Sequence, residues 1–194
     1  RRTRLPPTVH DAAAHLGLAE TESSLGFLDR AASHYEATLK TWGDQPGIWL
    51  DYADALSRAR RDSQALDSAQ QALMLAETAA TRSAQARILW RLNRRDEAFN
   101  SQAQAEHLDP GRIDFILQRG LWSLEAGDLA NAETAAAAAL KLAPNDPLGL
   151  WLRGSVGLRR GKTEEARRDL ERAAAQHGSP FVAAAAGEIL KQLR

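Results

Sequence analysis

The stretch Gly157-Leu-Arg-Arg-Gly161-Lys162-Thr163 comes nearest to a reactive motif, because a glycine-rich loop ending in Gly-Lys-Thr can wrap a phosphate in backbone N–H groups while its lysine reaches the same oxygens. That motif needs four residues between its glycines; here there are three, and the residue one step earlier is Val156. The stretch therefore reads as a turn between helices. Gly154-Ser155-Val156-Gly157 also lacks the Gly-x-Ser-x-Gly spacing that lifts a serine nucleophile onto a strained turn. His10 and His15 are five apart, which on a helix rotates them about 140° from one another, whereas a zinc helix presents its histidines four apart. His34, His107 and His177 stand without a sequence cluster of carboxylates, and zero cysteines remove thiolate sites, cysteine nucleophiles and disulfides alike. The expectation is no catalytic residue, no metal and no cofactor.

A second candidate is basic. Arg58, Arg60 and Arg61, with Arg91, Arg94 and Arg95 further on, could form a ridge that meets phosphates. They lack interleaved aromatics, and Lys+Arg and Asp+Glu are equal at 25 each, so no global field draws the chain to nucleic acid. They read as solvated turn charge.

What positions these residues is a repeat. Ala31, Ala65, Ala98, Ala132 and Ala166 are spaced by 34, 33, 34 and 34 residues. Twelve residues before each stands Ala19, Ala53, Ala86, Gly120 or Gly154, and seven after each Thr38, Ala72, Ala105, Ala139 or Ala173. Five before each stand Gly26, Arg60, Asn93, Gly127 and Gly161, where glycine and asparagine favour the left-handed conformation that ends a helix; Arg60 is the exception. Gly43, Pro110, Pro144 and Gly178 close the second helices, with Glu77 standing out of pattern. Asp29, Ser63 and Asp96 share one position at the start of a second helix and read as N-caps. Ser179-Pro180 then opens a last helix with Phe181, Ala185, Ile189 and Leu193 along one face.

This pattern resembles the tetratricopeptide repeat, a helix-turn-helix of 34 residues with small side chains at its eighth, twentieth and twenty-seventh positions. The resemblance covers roughly residues 12 to 178, although the family's tryptophan appears only as Trp49 and its later aromatic only as Tyr35. It implies an all-α, right-handed superhelix of five hairpins plus a capping helix. The expected organisation is a flexible lead-in over 1–8 and one domain over 9–194, with repeats near 12–45, 46–78, 79–112, 113–146 and 147–178 and the cap near 180–194.

In that family the first helices face a concave groove. Its positions here are Glu20, Asp51 and Asp54 in the early repeats, Arg87 and Trp90 in the third, Leu117, Gln118, Leu121 and Leu124 in the fourth, and Leu148, Trp151, Leu152, Ser155 and Leu158 in the fifth. The resemblance thus implies an acidic end and an apolar end, with Trp151 and Leu117 as anchors outside the core. The fifth positions Leu16, Leu50, Ser83, Leu117 and Trp151 lack the cationic clamp with which some members hold acidic chaperone tails.

With 44% hydrophobic residues the chain can bury a core, and no run reaches the ~18 apolar residues of a membrane span. The first residues, Arg1-Arg2-Thr3-Arg4, do not open a signal core, while the missing Met leaves an upstream segment open. An alanine- and arginine-rich, lysine-poor composition suggests a GC-rich bacterial source. Because bacterial members of the resembled family of this size often serve envelope assembly, the resemblance leans towards a periplasm or cell envelope, with cytoplasm as the other choice. The resulting expectation is a non-catalytic scaffold or assembly factor that binds a peptide or helix of a partner protein. Its rivals are a regulatory or substrate-presenting segment of a larger enzyme, and a self-associating structural module.

Overall fold

The turn position decides the architecture. Gly26, Arg60, Asn93, Gly127 and Gly161 all have positive φ, of 84°, 64°, 60°, 81° and 76°. After each of them a backbone N–H reaches five residues back: Phe27 to the Glu22 carbonyl at 2.8 Å, Arg61 to Leu56 at 2.9 Å, Arg94 to Leu89 at 2.9 Å, Asp128 to Ser123 at 2.8 Å and Lys162 to Gly157 at 2.9 Å. This closure satisfies a carbonyl of the ending helix and reverses the chain. Arg60, out of pattern by residue type, adopts the same backbone as the glycines.

The computed structural model describes residues 8–176 and 178–193. They form two compact units. The first, up to Leu108, contains α1 (Val9–Ser24), α2 (Leu28–Trp42), α3 (Pro46–Arg58), α4 (Asp62–Leu75), α5 (Ala79–Arg91) and α6 (Arg95–Leu108). The second, from Asp109, contains α7 (Ile113–Glu125), α8 (Leu129–Leu142), α9 (Pro147–Arg159), α10 (Thr163–Ala174) and α11 (Pro180–Gln192). The helices pair in sequence as five antiparallel hairpins, three in the first unit and two in the second, where α11 follows. Among the described residues there is no strand. The expected lead-in lies outside the described residues except for Thr8, which caps α1 in a reciprocal box with Asp11.

Small residues sit where helices cross. Ala19, Ala53 and Ala86 on first helices are buried, as are Ala31, Ala65, Ala98, Ala132 and Ala166 on second helices. Contact is tightest in the second unit. A Cβ on Gly120 would lie 2.5 Å from Leu152 Cδ2 and 2.9 Å from Ala135 Cβ; on Gly154 it would lie 2.8 Å from Leu170 Cγ and 3.1 Å from the Ala166 carbonyl oxygen. The alanine-rich α8 is a wall of this kind, burying Ala132, Ala135, Ala136 and Ala139.

Arginines tie successive hairpins together. Arg58, the last residue of α3, donates to the Ser23 carbonyl at the end of α1 at 2.8 Å, and Arg159, the last residue of α9, donates to the Leu124 carbonyl of α7 at 2.7 Å. Both span 35 residues, one repeat plus one. Each supplies a donor to a helix end whose carbonyls have no partner within the helix.

Three local expectations are corrected. Asp29, Ser63 and Asp96 lie inside the first turns of α2, α4 and α6 rather than at their caps; the two acids still favour the positive helix end. Side-chain caps occur instead at Thr8, Thr78, Asp128 and Asp146. Thr78 resolves the junction beside Glu77: it forms a box with Thr81, whose hydroxyl also donates to the Ala76 carbonyl at 3.0 Å, and Glu77 pairs with Arg82. On α11, Phe181 is 87% exposed, and the buried face runs through Val182 and Ala186, with Ile189, Leu190 and Leu193 packed beside them. Counting 34 residues on from Gly154 reaches Glu188, so the position that is small on five first helices carries an exposed carboxylate here, paired with Lys191 at 2.7 Å.

Two alanine substitutions separate close packing from helix propensity. Gly154→Ala should lower the melting midpoint, because overpacking against Leu170 and the Ala166 carbonyl costs about 1–3 kcal/mol and outweighs the helix gain. Gly187→Ala on α11, where an added Cβ meets nothing within 4 Å, should raise stability by about 0.5–1 kcal/mol. Equal shifts in thermal unfolding of the two variants would refute the crossing argument.

Candidate functional site

In the first unit the acidic positions converge. Glu20 projects from α1 and Asp51 and Asp54 from α3, all exposed. Whereas α3 packs directly on α5, α1 and α3 make no comparable contact, and a cleft of about 450 Å³ opens between them. Leu16 and Glu20 line it from α1, Trp42 from the end of α2, Gln45 from the connection, and Gly47, Ile48 and Asp51 from α3. The Asp51 carboxyl is held above the usual carboxylate range, first by burial and then by the charges of Glu20 and Asp54. Beneath them the Tyr35 hydroxyl is pushed up to about 12 by its burial and by the same three acids, against a smaller opposing effect of Arg58. The three carboxylates therefore share one negative field.

Arg87 on α5 is exposed, while Trp90 is engaged at the end of the same helix. Its ring lies edge-on to Phe99 at 5.6 Å, with the Arg95 guanidinium 5.0 Å above it. The remaining corner arginines are largely neutralised: Arg58 faces Asp54 at 3.7 Å, Arg61 Asp29 at 3.8 Å, Arg91 Asp62 at 3.0 Å and Arg94 Glu97 at 2.6 Å. This is turn charge held by local pairs.

The second unit departs from the expected apolar surface. Leu117 is 4% and Leu124 5% exposed, and both belong to a core cluster with Ile116, Ala132, Ala135, Leu152 and Val156. Leu117 is thus a core residue: its position on α7 faces α8 and α9 rather than solvent. Leu152 and Ser155 are buried, and Gln118, Leu121, Leu148, Trp151 and Leu158 are half-buried. Trp151 packs against this cluster and also against the one formed by Leu140, Leu150, Leu170, Ala173, Val182 and Ala186. Its Nε1 and the Ser155 hydroxyl are buried without a hydrogen-bond partner among the described residues.

A second cleft, of about 430 Å³, lies in this unit among Glu133, Arg153, Lys162, Asp169 and Arg172. Several of its charges are paired: Arg153 grips Asp169 with two bonds of 2.6 Å, and Glu133 takes Arg160 at 2.7 Å and Lys162 at 3.6 Å. Lys162 of the near-miss phosphate motif is thereby placed at the foot of α10, beside the positive-φ Gly161 and after a helix.

Sequence reading missed one juxtaposition. His15 on α1 and His34 on α2 meet with their Nδ1 atoms 2.8 Å apart, and Glu22, 5% exposed, places Oε2 3.6 Å from His34 Nε2. Folding the chain back at Gly26 would have brought the two histidines to similar heights. Among the described residues no group of three or more histidine, cysteine, aspartate or glutamate side chains is arranged to hold a metal ion, and no helix is long and apolar enough to cross a membrane. His177 lies outside the described residues.

Helical hairpins in a 33- to 34-residue register, joined by left-handed turns and crossing at small residues, define an α-α repeat protein. The chain belongs to the tetratricopeptide repeat family, whose model matches residues 16–83 and 117–188. A search of the curated proteins gave no match. Among solved structures the chain is similar to pilF of Pseudomonas aeruginosa (19% identity, TM-score 0.74, 95% of this chain and 92% of that one). It is also similar to MamA (15%, 0.71, 89% and 94%) and to YrrB, described as a TPR protein with an unusual peptide-binding site (19%, 0.65, 91% and 92%). At these identities the likeness is one of fold. The family is in general a non-catalytic protein-interaction scaffold.

Two measurements follow from the site. Leu117→Ser should destabilise the second unit by about 2–5 kcal/mol, read as a lower midpoint of chemical denaturation; a neutral effect would return Leu117 to the surface. Asp51→Asn should act in the opposite sense. Because the folded state raises the Asp51 pKa, the protein holds that proton more tightly when folded, so wild-type stability improves as pH falls through the raised value. Asp51→Asn is therefore expected to melt higher than wild type at neutral pH, with the gap closing below the ordinary aspartate range. A gap that widened in acid would reverse the assignment.

Proposed function

We propose that this chain is a non-catalytic interaction module that holds a segment of a partner protein against the first helices of its first unit. One observation carries the reading. The cleft between α1 and α3 is open, part apolar and part charged, and it falls on the helices that present Glu20, Asp51 and Asp54. Specific sites combine apolar walls with a few oriented polar groups in this way. Arg87 extends the same set of first-helix positions on α5 and gives a partner segment a charge of opposite sign to meet, which fixes direction more than affinity. In the second unit, Gln118, Leu121, Leu148, Trp151 and Leu158 are the half-buried members of the expected set and offer a secondary surface on α7 and α9.

The non-catalytic reading follows the family, which is in general an interaction module. The His15–His34 pair is an imidazole-to-imidazole contact backed by a carboxylate. Nucleic acid is disfavoured by the neutral overall charge and by the local pairing of the corner arginines.

Site-specific photo-crosslinking tests the face. A crosslinker at Gln45, on the mouth of the cleft, should capture a partner protein from the source cell, and one at Gln70, exposed on the second helix α4, should not. Capture at Gln70 without capture at Gln45 would place the interaction on the other face.

A further inference from the structure

We propose that the cleft between α1 and α3 receives a lysine or arginine side chain together with an aliphatic neighbour, both from an extended segment of the partner. This deepens the first-helix reading and rests on it.

The shape comes first. Because α1 and α3 do not pack on each other as α3 and α5 do, Leu16, Ile48 and Trp42 leave apolar surface facing a cavity of about 450 Å³. Lining it are two carboxylates, Glu20 and Asp51. Neither has a cation within ion-pair distance among the described residues, in a chain whose acids elsewhere are repeatedly paired. The nearest positive group to this set is Arg58, which stands 3.7 Å from Asp54 and is held by two hydrogen bonds to Ser23. It does not neutralise the cleft. The raised Asp51 and Tyr35 values reflect loss of water first and the neighbouring acids second.

These features select an occupant. An acidic segment would add like charge to a site already strained by it. A wholly apolar one would strip water from Glu20 and Asp51 without replacing it. Lysine and arginine satisfy both requirements, since their aliphatic stems lie along apolar walls while the cation reaches a carboxylate. Trp42 adds an aromatic ring to the lining, a group that attracts cations. The aliphatic neighbour accounts for Leu16 and Ile48, and the Gln45 amide at the mouth can donate to or accept from the backbone of an extended segment.

Gly47 makes the cleft testable without touching its charge. A Cβ there would meet no atom within 4 Å, so a large side chain at this position extends into open space along the cleft wall. Random short peptides displayed on phage are selected on the full chain, and synthetic copies of the recovered peptides are titrated into wild type, Gly47→Trp and the double variant Glu20→Gln/Asp51→Asn. The recovered sequences should be rich in lysine or arginine next to Leu, Ile, Val or Met. Their affinity should fall roughly tenfold or more in both variants and should weaken as salt is raised. It should also weaken as pH falls towards the raised Asp51 value.

Thermal melts keep the comparison independent of folding, and Asp51→Asn is expected to be the more stable protein. Peptides lost in Gly47→Trp but bound equally by the double variant would overturn the cationic occupant while leaving the first-helix reading standing. Peptides indifferent to both variants, or no peptide recovered above background, would overturn the cleft and that reading together.

Discussion

Helix crossings too tight for a Cβ govern this molecule. Where Gly120 meets Leu152 and Gly154 meets Leu170, the separation leaves room for a hydrogen and little else. Such contacts fix how each first helix lies on its partner, and alanines at the matching positions of the first unit do the same with one more carbon. Large side chains fill the space around these crossings, where Leu56, Leu150, Leu152 and Leu170 are fully enclosed. Between α1 and α3 a cleft is left open.

Charge follows the same geometry. Arginines at helix ends are committed to structure, Arg58 and Arg159 to main-chain carbonyls and Arg91 to Asp62, and mid-helix Arg153 holds the buried Asp169. With cations placed at corners and acids distributed along helix faces, a neutral chain can still leave one face unneutralised. Glu20 and Asp51 are two unpaired acids that line one cleft. Desolvating them without a counter-charge is unfavourable, so the surface is better matched to a complex than to free solution.

The repeat was legible because its signals are local and recur: a left-handed turn residue, a small residue at each crossing, a stop at the end of each second helix. Even Arg60, out of pattern by type, takes the required backbone. What sequence did not disclose depends on angles of a few tens of degrees around a helix. Leu117 and Trp151 occupy one repeat position, yet Leu117 is core and Trp151 half-buried, because what packs on α7 differs from what packs on α9. Phe181 and Val182 are adjacent, and either could have begun an apolar stripe of period four; the contact with α10 selects Val182. The acidic set was readable position by position, but the cleft beside it was not, since it depends on how closely two helices pack along their length. The His15–His34 pair needed the hairpin folded back before the two rings could be seen as neighbours.

The arginine ties have a consequence for how the chain holds itself together in time. In each tie the donor belongs to a later hairpin and the acceptor to the first helix of the one before it, so the upstream carbonyl, which already accepts a turn N–H from Gly26 or Gly127, gains a charged donor only when its downstream neighbour has docked. Along α1 to α3, and separately along α7 to α9, this makes the coupling vectorial. Loosening the later hairpin takes the charged donor away from the earlier one, whereas fraying of the earlier helix's start leaves the tie untouched. Under load or during synthesis, these two pairs of hairpins behave as latches with a preferred sense, in which the later hairpin secures the one made just before it.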